Sequence, residues 1–168
     1  NWSDGVGDSI RTITITDNME LTAVFIKQYT LNATAVNGTV IGVGVHDEGA
    51  VVTLIATPNE GYRFVNWSDG VEDSIRIITI TEEVTLEAFF EIKTYSLNVV
   101  ADNGTVEITG MANMDGTCNH GTEITHAVTA NEGYRFVNWS DGVEDSIRTI
   151  TITEEVTLEA FFEIKTYS

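Results

Sequence analysis

Gly61-Tyr62-Arg63-Phe64-Val65-Asn66-Trp67-Ser68-Asp69-Gly70 is the stretch on which the fold turns. Tyr62 and Phe64 share one face of an extended chain and Val65 and Trp67 share the other, so the period is two and both faces carry large apolar groups. That pattern predicts a strand in a central or doubly covered position. The run ends in Ser-Asp-Gly, a turn composition. The string Asn-Trp-Ser-Asp-Gly recurs at Asn1 to Gly5, Asn66 to Gly70 and Asn138 to Gly142, at offsets of 65 (66 minus 1) and 72 (138 minus 66). Asn59 to Ser96 and Asn131 to Ser168 differ only at Ile77 against Thr149 over 38 positions (96 minus 59, plus 1), which marks a recent duplication. The phase gives the closing half of one repeat at 1–28, a complete repeat at 29–94, a second complete repeat at 95–166 with a loop insertion around 114–120, and the start of a next repeat at 167–168.

Outward from that strand the same period continues. Tyr95, Leu97 and Val99 alternate with Ser96 and Asn98, and a third strand is read at Val52, Leu54 and Ala56, ended by Pro58, which cannot donate to a sheet ladder. Ile78 and Ile80, then Val84, Leu86, Ala88 and Phe90, form two more alternating runs. Asn37-Gly38 and Asn103-Gly104 lie between apolar runs and predict hairpin turns with both residues at positive φ. The reading is a mainly β protein of tandem modules, each with five or six short strands. The variable region from Gly42 to Gly49 leaves room for one helical turn. Phe90-Glu91-Ile92-Lys93-Thr94 runs directly into Tyr95, so the hinge between repeats is expected to be short and at least semi-rigid.

A net charge of -18, from 26 acidic and 8 basic residues, repels phosphate backbones and anionic headgroups and so argues against a nucleic-acid partner. With 42% hydrophobic residues and a single proline the chain is neither disordered nor collagenous. A module this small buries roughly 60% of the surface its unfolded chain exposes, so each large side chain carries much of its stability. Cys118 is alone and cannot form an intrachain disulfide. No apolar run approaches the length a membrane span needs, so no membrane insertion is expected. No signal peptide is seen, and because the chain begins in mid-repeat, targeting segments are expected to lie outside it.

The residues Gly61 to Gly70, followed by Val84-Thr85-Leu86-Glu87-Ala88-Phe89-Phe90, resemble the divergent internalin-B-type repeats of bacterial surface proteins. Tyr29 with Leu31, Gly38-Thr39-Val40 and Val52-Thr53-Leu54-Ile55-Ala56-Thr57-Pro58 fit the order of that repeat. The resemblance covers nearly the whole chain. It implies a compact fold related to the β-grasp, long arrays on secreted or cell-surface bacterial proteins, and no catalysis. The last repeat departs from the pattern with His126 in place of Leu54 and Ala130 in place of Pro58, which predicts a perturbed third strand there.

Four constellations invite a chemical reading. Trp67 and Trp139 could stack sugar rings, yet one amphipathic aromatic per small module on an apolar strand reads better as a core anchor. Asp69, Glu72 and Asp73 gather three carboxylates in five residues but lack the spacing of a calcium loop, and the copy at Asp4 to Asp8 has Gly7 where the glutamate stands. A solvated turn pairing with Arg76 or Arg148 is the better reading. Asp115, Cys118, His120 and His126 form a weak match to a zinc site, which needs four ligands; an inserted polar loop fits better. Thr12, Thr14 and Thr16, like Thr149, Thr151 and Thr153, read as the solvated side of a strand, with ice or glycan binding as a minor alternative. The glycosylation sequons at Asn66 and Asn103 carry no weight in a bacterial protein.

No catalytic, cofactor-binding or metal-binding residue is therefore assigned, and no cofactor is implied. The reading is a non-catalytic extracellular stalk or spacer whose partners are neighbouring repeats, with an adhesive or glycan-binding module as the alternative and the host or glycan ligand undefined. The 1–28 segment lacks an opening half, so Ile13, Ile15, Leu21 and Phe25 are expected to be covered by the following repeat or by a second molecule.

Overall fold

A computed structural model of the chain describes residues 1–110 and 113–166. The start of a next repeat at 167–168 lies outside the described residues. Fourteen strands and no helix are found among them. The first repeat holds β1 (Gln28–Ala35), β2 (Gly38–Ile41), β3 (Gly44–Asp47), β4 (Val51–Pro58), β5 (Tyr62–Trp67), β6 (Ile75–Thr79) and β7 (Val84–Ile92). The second repeats them as β8 (Thr94–Val100), β9 (Gly104–Thr109), β10 (Thr117–Asn119), β11 (Glu123–Ala130), β12 (Tyr134–Trp139), β13 (Ile147–Thr151) and β14 (Val156–Ile164). Each repeat thus has seven strands, not five or six, and Gly44–Asp47 forms β3 where a helical turn had room.

Each repeat is two small sheets. A four-stranded sheet runs β3-β1-β7-β5, and a three-stranded one runs β2-β4-β6; the second repeat has β10-β8-β14-β12 and β13-β11-β9. The first and last long strands pair in parallel at the centre, with Leu31 opposite Val84 and Ala35 opposite Ala88. All other pairings are antiparallel, apart from the equivalent β8-β14 pair of the second repeat. A parallel pair needs a long crossover, and here the crossover contains all three strands of the second sheet, β2, β4 and β6, whose inner face covers the first. Leu31, Leu54, Ala56, Trp67, Ile80, Leu86 and Ala88 meet between the two sheets as one core.

Three features overturn the expected local geometry. β5 and β12 are edge strands rather than central ones. Each carries an irregularity, between Phe64 and Asn66 and between Phe136 and Asn138. The extra residue, Val65, reverses the parity of the rest of the strand, so Trp67 turns to the same side as Phe64 and their rings meet edge to face at 5.8 Å. The Asn-Gly turns do not make hairpins, because β1 and β2 belong to different sheets. Of Asn37, Gly38, Asn103 and Gly104, only Asn37 takes positive φ, at 65°. Glycine is required at 38 and 104 for a different reason: a Cβ at Gly38 would lie 2.5 Å from the Phe90 ring and 2.8 Å from the Thr57 carbonyl oxygen, and Gly104 meets Phe162 and Thr129 in the same way. Gly38→Ala is expected to push Phe90 off Phe64 and to lower the stability of 29–94 by about 1–3 kcal/mol, the range for overpacking, read as the shift of that repeat's melting transition.

The strand that holds His126 and Ala130, expected as the third and found as the fourth of the second repeat, is not perturbed. β11 spans the same length as β4, eight residues, and pairs on both edges. Of the insertion expected around 114–120, residues 117–119 form β10 and 114–116 precede it. β10 and β3 are counterparts, since Tyr95 pairs with Cys118 as Tyr29 pairs with His46. The added length falls before β10, partly in β9, which has six residues where β2 has four.

Residues 1–28 form no named strand apart from the first residue of β1, and hold one isolated bridge, Trp2 to Ala23. The following repeat does not cover them: Ile15 is 77% and Phe25 91% exposed, while Ile13 and Leu21 are half-buried. In 29–94 the counterparts Ile80 and Leu86 are buried by β1 and β4 of their own repeat. β1 already has β3 and β7 on its two edges and has none left to offer.

Candidate functional site

Trp67 and Trp139 are fully buried, at 0% exposure. The Trp67 indole is fixed from three sides. The Nε1–H of Trp67 donates to the Asp73 carbonyl at 2.9 Å, as that of Trp139 does to Asp145. The Trp67 amide donates to Val71 and the Gly70 amide to Trp67, closing the Ser-Asp-Gly loop under the ring. Arg76 lies 5.8 Å above the ring centroid and binds Asp69 at 2.8 Å. The repeated loop is therefore the socket of the tryptophan, and no aromatic face is left for a sugar ring. The loop closes locally: in the copy near the start of the chain, too, Trp2 donates to the Asp8 carbonyl at 2.8 Å and Arg11 pairs with Asp4.

The acidic turn is consumed in the same way. The Arg148 guanidinium holds the Asp141 carboxyl below the usual carboxylate range. Asp4 is lowered likewise by Arg11, and Asp73 contributes its backbone carbonyl to the indole rather than a ligand oxygen. A carboxylate already paired with arginine is a poor calcium ligand. Among the described residues no group of three or more His, Cys, Asp or Glu side chains could hold a metal. Calorimetric titration with calcium and zinc is expected to show no event tighter than about the millimolar range of weak extracellular sites; a micromolar stoichiometric event would refute this.

The Cys118 stretch disperses. Asp115 accepts from both the amide and the hydroxyl of Thr117. Cys118 is buried with Ile124 and Ile152, and burial pushes its thiol pKa up, away from reactivity. His120 lies against Tyr95 with the two rings tilted 53° to each other. His126 sits in the core of the second repeat, edge-on to Trp139 at 5.7 Å, and neither ring nitrogen has a partner. It pairs across the sheet with Arg148 as Leu54 does with Arg76, so it occupies the leucine position. The fully buried apolar residues that form one group in the first repeat are divided into two in the second, Trp139, Val128, Leu158 and Ala160 in one and Cys118, Ile124 and Ile152 in the other, with the half-buried Ile150 and Val156 packed against both.

The outward face of the three-stranded sheet was visible in the sequence only as threonines. In the first repeat it carries Thr39, Ile41, Val51, Thr53, Ile55, Thr57, Ile75, Ile77 and Thr79, without a charge. Val51 is 69% and Ile77 71% exposed. In the second repeat Glu107, Glu123, Ala127 and Thr149 replace Ile41, Val51, Ile55 and Ile77 at the same ladder positions. Thr149 and Thr151 do face solvent as expected.

The model of the divergent InlB B-repeat domain matches residues 29–94 and 95–166. The chain belongs to that family. Divergent InlB B-repeats are repeat domains of surface proteins rather than an enzyme family, and this chain carries them in tandem. No curated protein matches it. Among solved structures it is similar to the Bacillus anthracis TIE protein, at 10% identity and a TM-score of 0.40, over 80% of this chain and 34% of that one. The chain thus spans about a third of that protein's length, and the likeness carries no function across. No helix among the described residues is long and apolar enough to cross a membrane.

Proposed function

We propose that this divergent InlB B-repeat chain is a non-catalytic spacer in an extracellular or cell-surface bacterial protein. In this reading 1–28 is the closing half of one repeat, 29–94 and 95–166 are complete repeats, and 167–168 begins another, so that neighbouring repeats are its principal partners. One observation carries it: β7 ends at Ile92 and β8 begins at Thr94, so a single residue, Lys93, separates two units that each enclose their own core. Such a chain gains reach with each copy and keeps its direction. The abundance of carboxylates keeps a long array soluble and discourages collapse on itself. Small-angle scattering on arrays of increasing repeat number tests the reading. A maximum dimension that grows in proportion to repeat number supports it, and one that grows as a compact body does rejects it.

A second reading, an adhesive or glycan-binding module, is favoured by the uncharged outer face of β2-β4-β6. An exposed apolar patch of a few hundred Å² on a soluble domain often marks an interaction site, and weak contacts gain avidity from repetition. Capture on a glycan array that strengthens with repeat number, and that Ile77→Glu abolishes, would place this reading above the first.

A further inference from the structure

A connection of one residue does not by itself fix an angle, since each of its two backbone dihedrals is free to turn. Lys93, however, is bonded on both sides. Its amide donates to the Gly61 carbonyl of the first repeat at 2.8 Å, and its carbonyl accepts from the His120 amide of the second at 2.9 Å. His120 follows β10 directly and is the counterpart of Glu48, whose amide donates to Lys27 in the same way. Across the junction the His120 imidazole lies over the Gly61 Cα. A Cβ at Gly61 would run into its Cδ2 and stand 2.8 Å from its Cγ. The ring's other neighbour is Tyr95, the second residue of β8, with centroids 6.0 Å apart. Its Nδ1 is buried without a partner, so no hydrogen bond from that nitrogen opposes a ring seated by shape.

We propose that the bare backbone at Gly61 is a receiving notch of the first repeat, that the His120 side chain of the second repeat is the plug seated in it, and that this contact locks the two repeats at one angle. The partner this surface fits is thus a neighbouring repeat, through the side chain that follows its third strand. Gly133 carries the same backbone bond, Lys165 donating to its carbonyl at 2.8 Å as Lys93 does to Gly61, and among the described residues no atom lies within 4 Å of where its Cβ would be. The residue at the plug position differs between repeats, glutamate at 48 and histidine at 120, whereas the strand that follows the notch, Tyr62–Trp67 or Tyr134–Trp139, has the same sequence in both, so the stiffness of a junction can vary while the fold stays constant. The purpose of the lock rests on the spacer reading; its geometry does not.

The two glycines supply matched controls. Gly61 has φ of +77° and Gly133 of +83°, so alanine brings similar backbone strain to both, but only Gly61 faces a plug. The experiment measures the distance distribution between spin labels on cysteines introduced by Thr53→Cys and Thr125→Cys, both on the outward faces of their three-stranded sheets, in the otherwise intact chain. Hydrogen exchange of each repeat reports whether it stays folded. The labelled chain should give one narrow distance. His120→Ala and Gly61→Ala should each lose it to a broad distribution, with both repeats still protected, and Gly133→Ala should keep it. A narrow distance that survives His120→Ala overturns the lock, as does a loss under Gly133→Ala equal to that under Gly61→Ala. If Gly61→Ala unfolds the first repeat, His120→Ala, which adds no strain, decides alone. A narrow distance in arrays whose length fails to grow with repeat number would leave the lock intact and reject the spacer.

Discussion

Trp139→Ala is expected to unfold residues 95–166 while 29–94 stays folded. The indole is the largest buried side chain of its repeat, contacts Phe136 and His126 edge-on, and closes the Ser140 to Asp145 loop through its Nε1–H. Truncating a buried tryptophan costs about 3–5 kcal/mol, and a single core of this size rarely supplies more than about 3–5 kcal/mol in total. The loss therefore equals the whole stability of the unit. It does not extend to the first repeat, whose core residues all come from 29–94. Hydrogen exchange resolved by repeat should show 95–166 exchanging as open chain beside a protected 29–94. A variant that keeps its protection and its melting transition but loses binding to a glycan would instead make the tryptophan a platform.

The burial of that tryptophan was legible in the sequence, and the geometry that achieves it was not. Alternation places Trp67 on the face opposite Phe64, yet both point into one core, because Val65 is the extra residue of a bulge. Nothing in Phe-Val-Asn-Trp marks it: no glycine or proline stands there, and a bulge obeys the partner strand, in which Phe89 and Phe90 set the register. The same bulge turns Val65 outward and makes a strand that looks apolar on both faces an edge strand. β3 escaped because four residues beginning with a glycine and ending in His46-Asp47 carry no pattern of their own; it exists because β1 has an edge to fill. Threonine rows announced a solvated face, but its lack of charge in the first repeat became visible only once β2, β4 and β6 were aligned. The tight points at Gly38 and Gly61 depend on atoms far along the chain, Phe90 and His120, which no local reading joins to them. His126 did stand out as a departure from the repeat. The expectation drawn from it, a disturbed strand, located the strain in the wrong place: the backbone ladder is satisfied by both neighbours, and the unmet demand is in the side chain.

That demand makes the second large effect. His126→Leu is expected to raise the stability of 95–166 at neutral pH by about 1–3 kcal/mol, the cost of a buried polar group left without a hydrogen bond, because Leu54 fills the same position in the first repeat without one. The imidazole also ties the stability of its repeat to pH. Burial, helped by the Arg148 charge and opposed by Asp141, lowers its pKa below the ordinary 6.5. The folded state then binds fewer protons than the unfolded one as pH drops through 6.5, so the second repeat loses stability from there downward, until the pH passes the lowered folded value and the loss levels off. The carboxylates paired with arginine, Asp69 and Asp141, titrate at lower pH and occur in both repeats, so they affect the two alike. Thermal unfolding followed separately for each repeat between neutral and mildly acid pH should therefore show the melting temperature of 95–166 falling away from that of 29–94, and His126→Leu should bring the two back to parallel courses. If both repeats of the unaltered chain respond alike to acid across that range, or if His126→Leu leaves the second transition where it was, the histidine is accommodated at no cost and the account of the divided core is wrong.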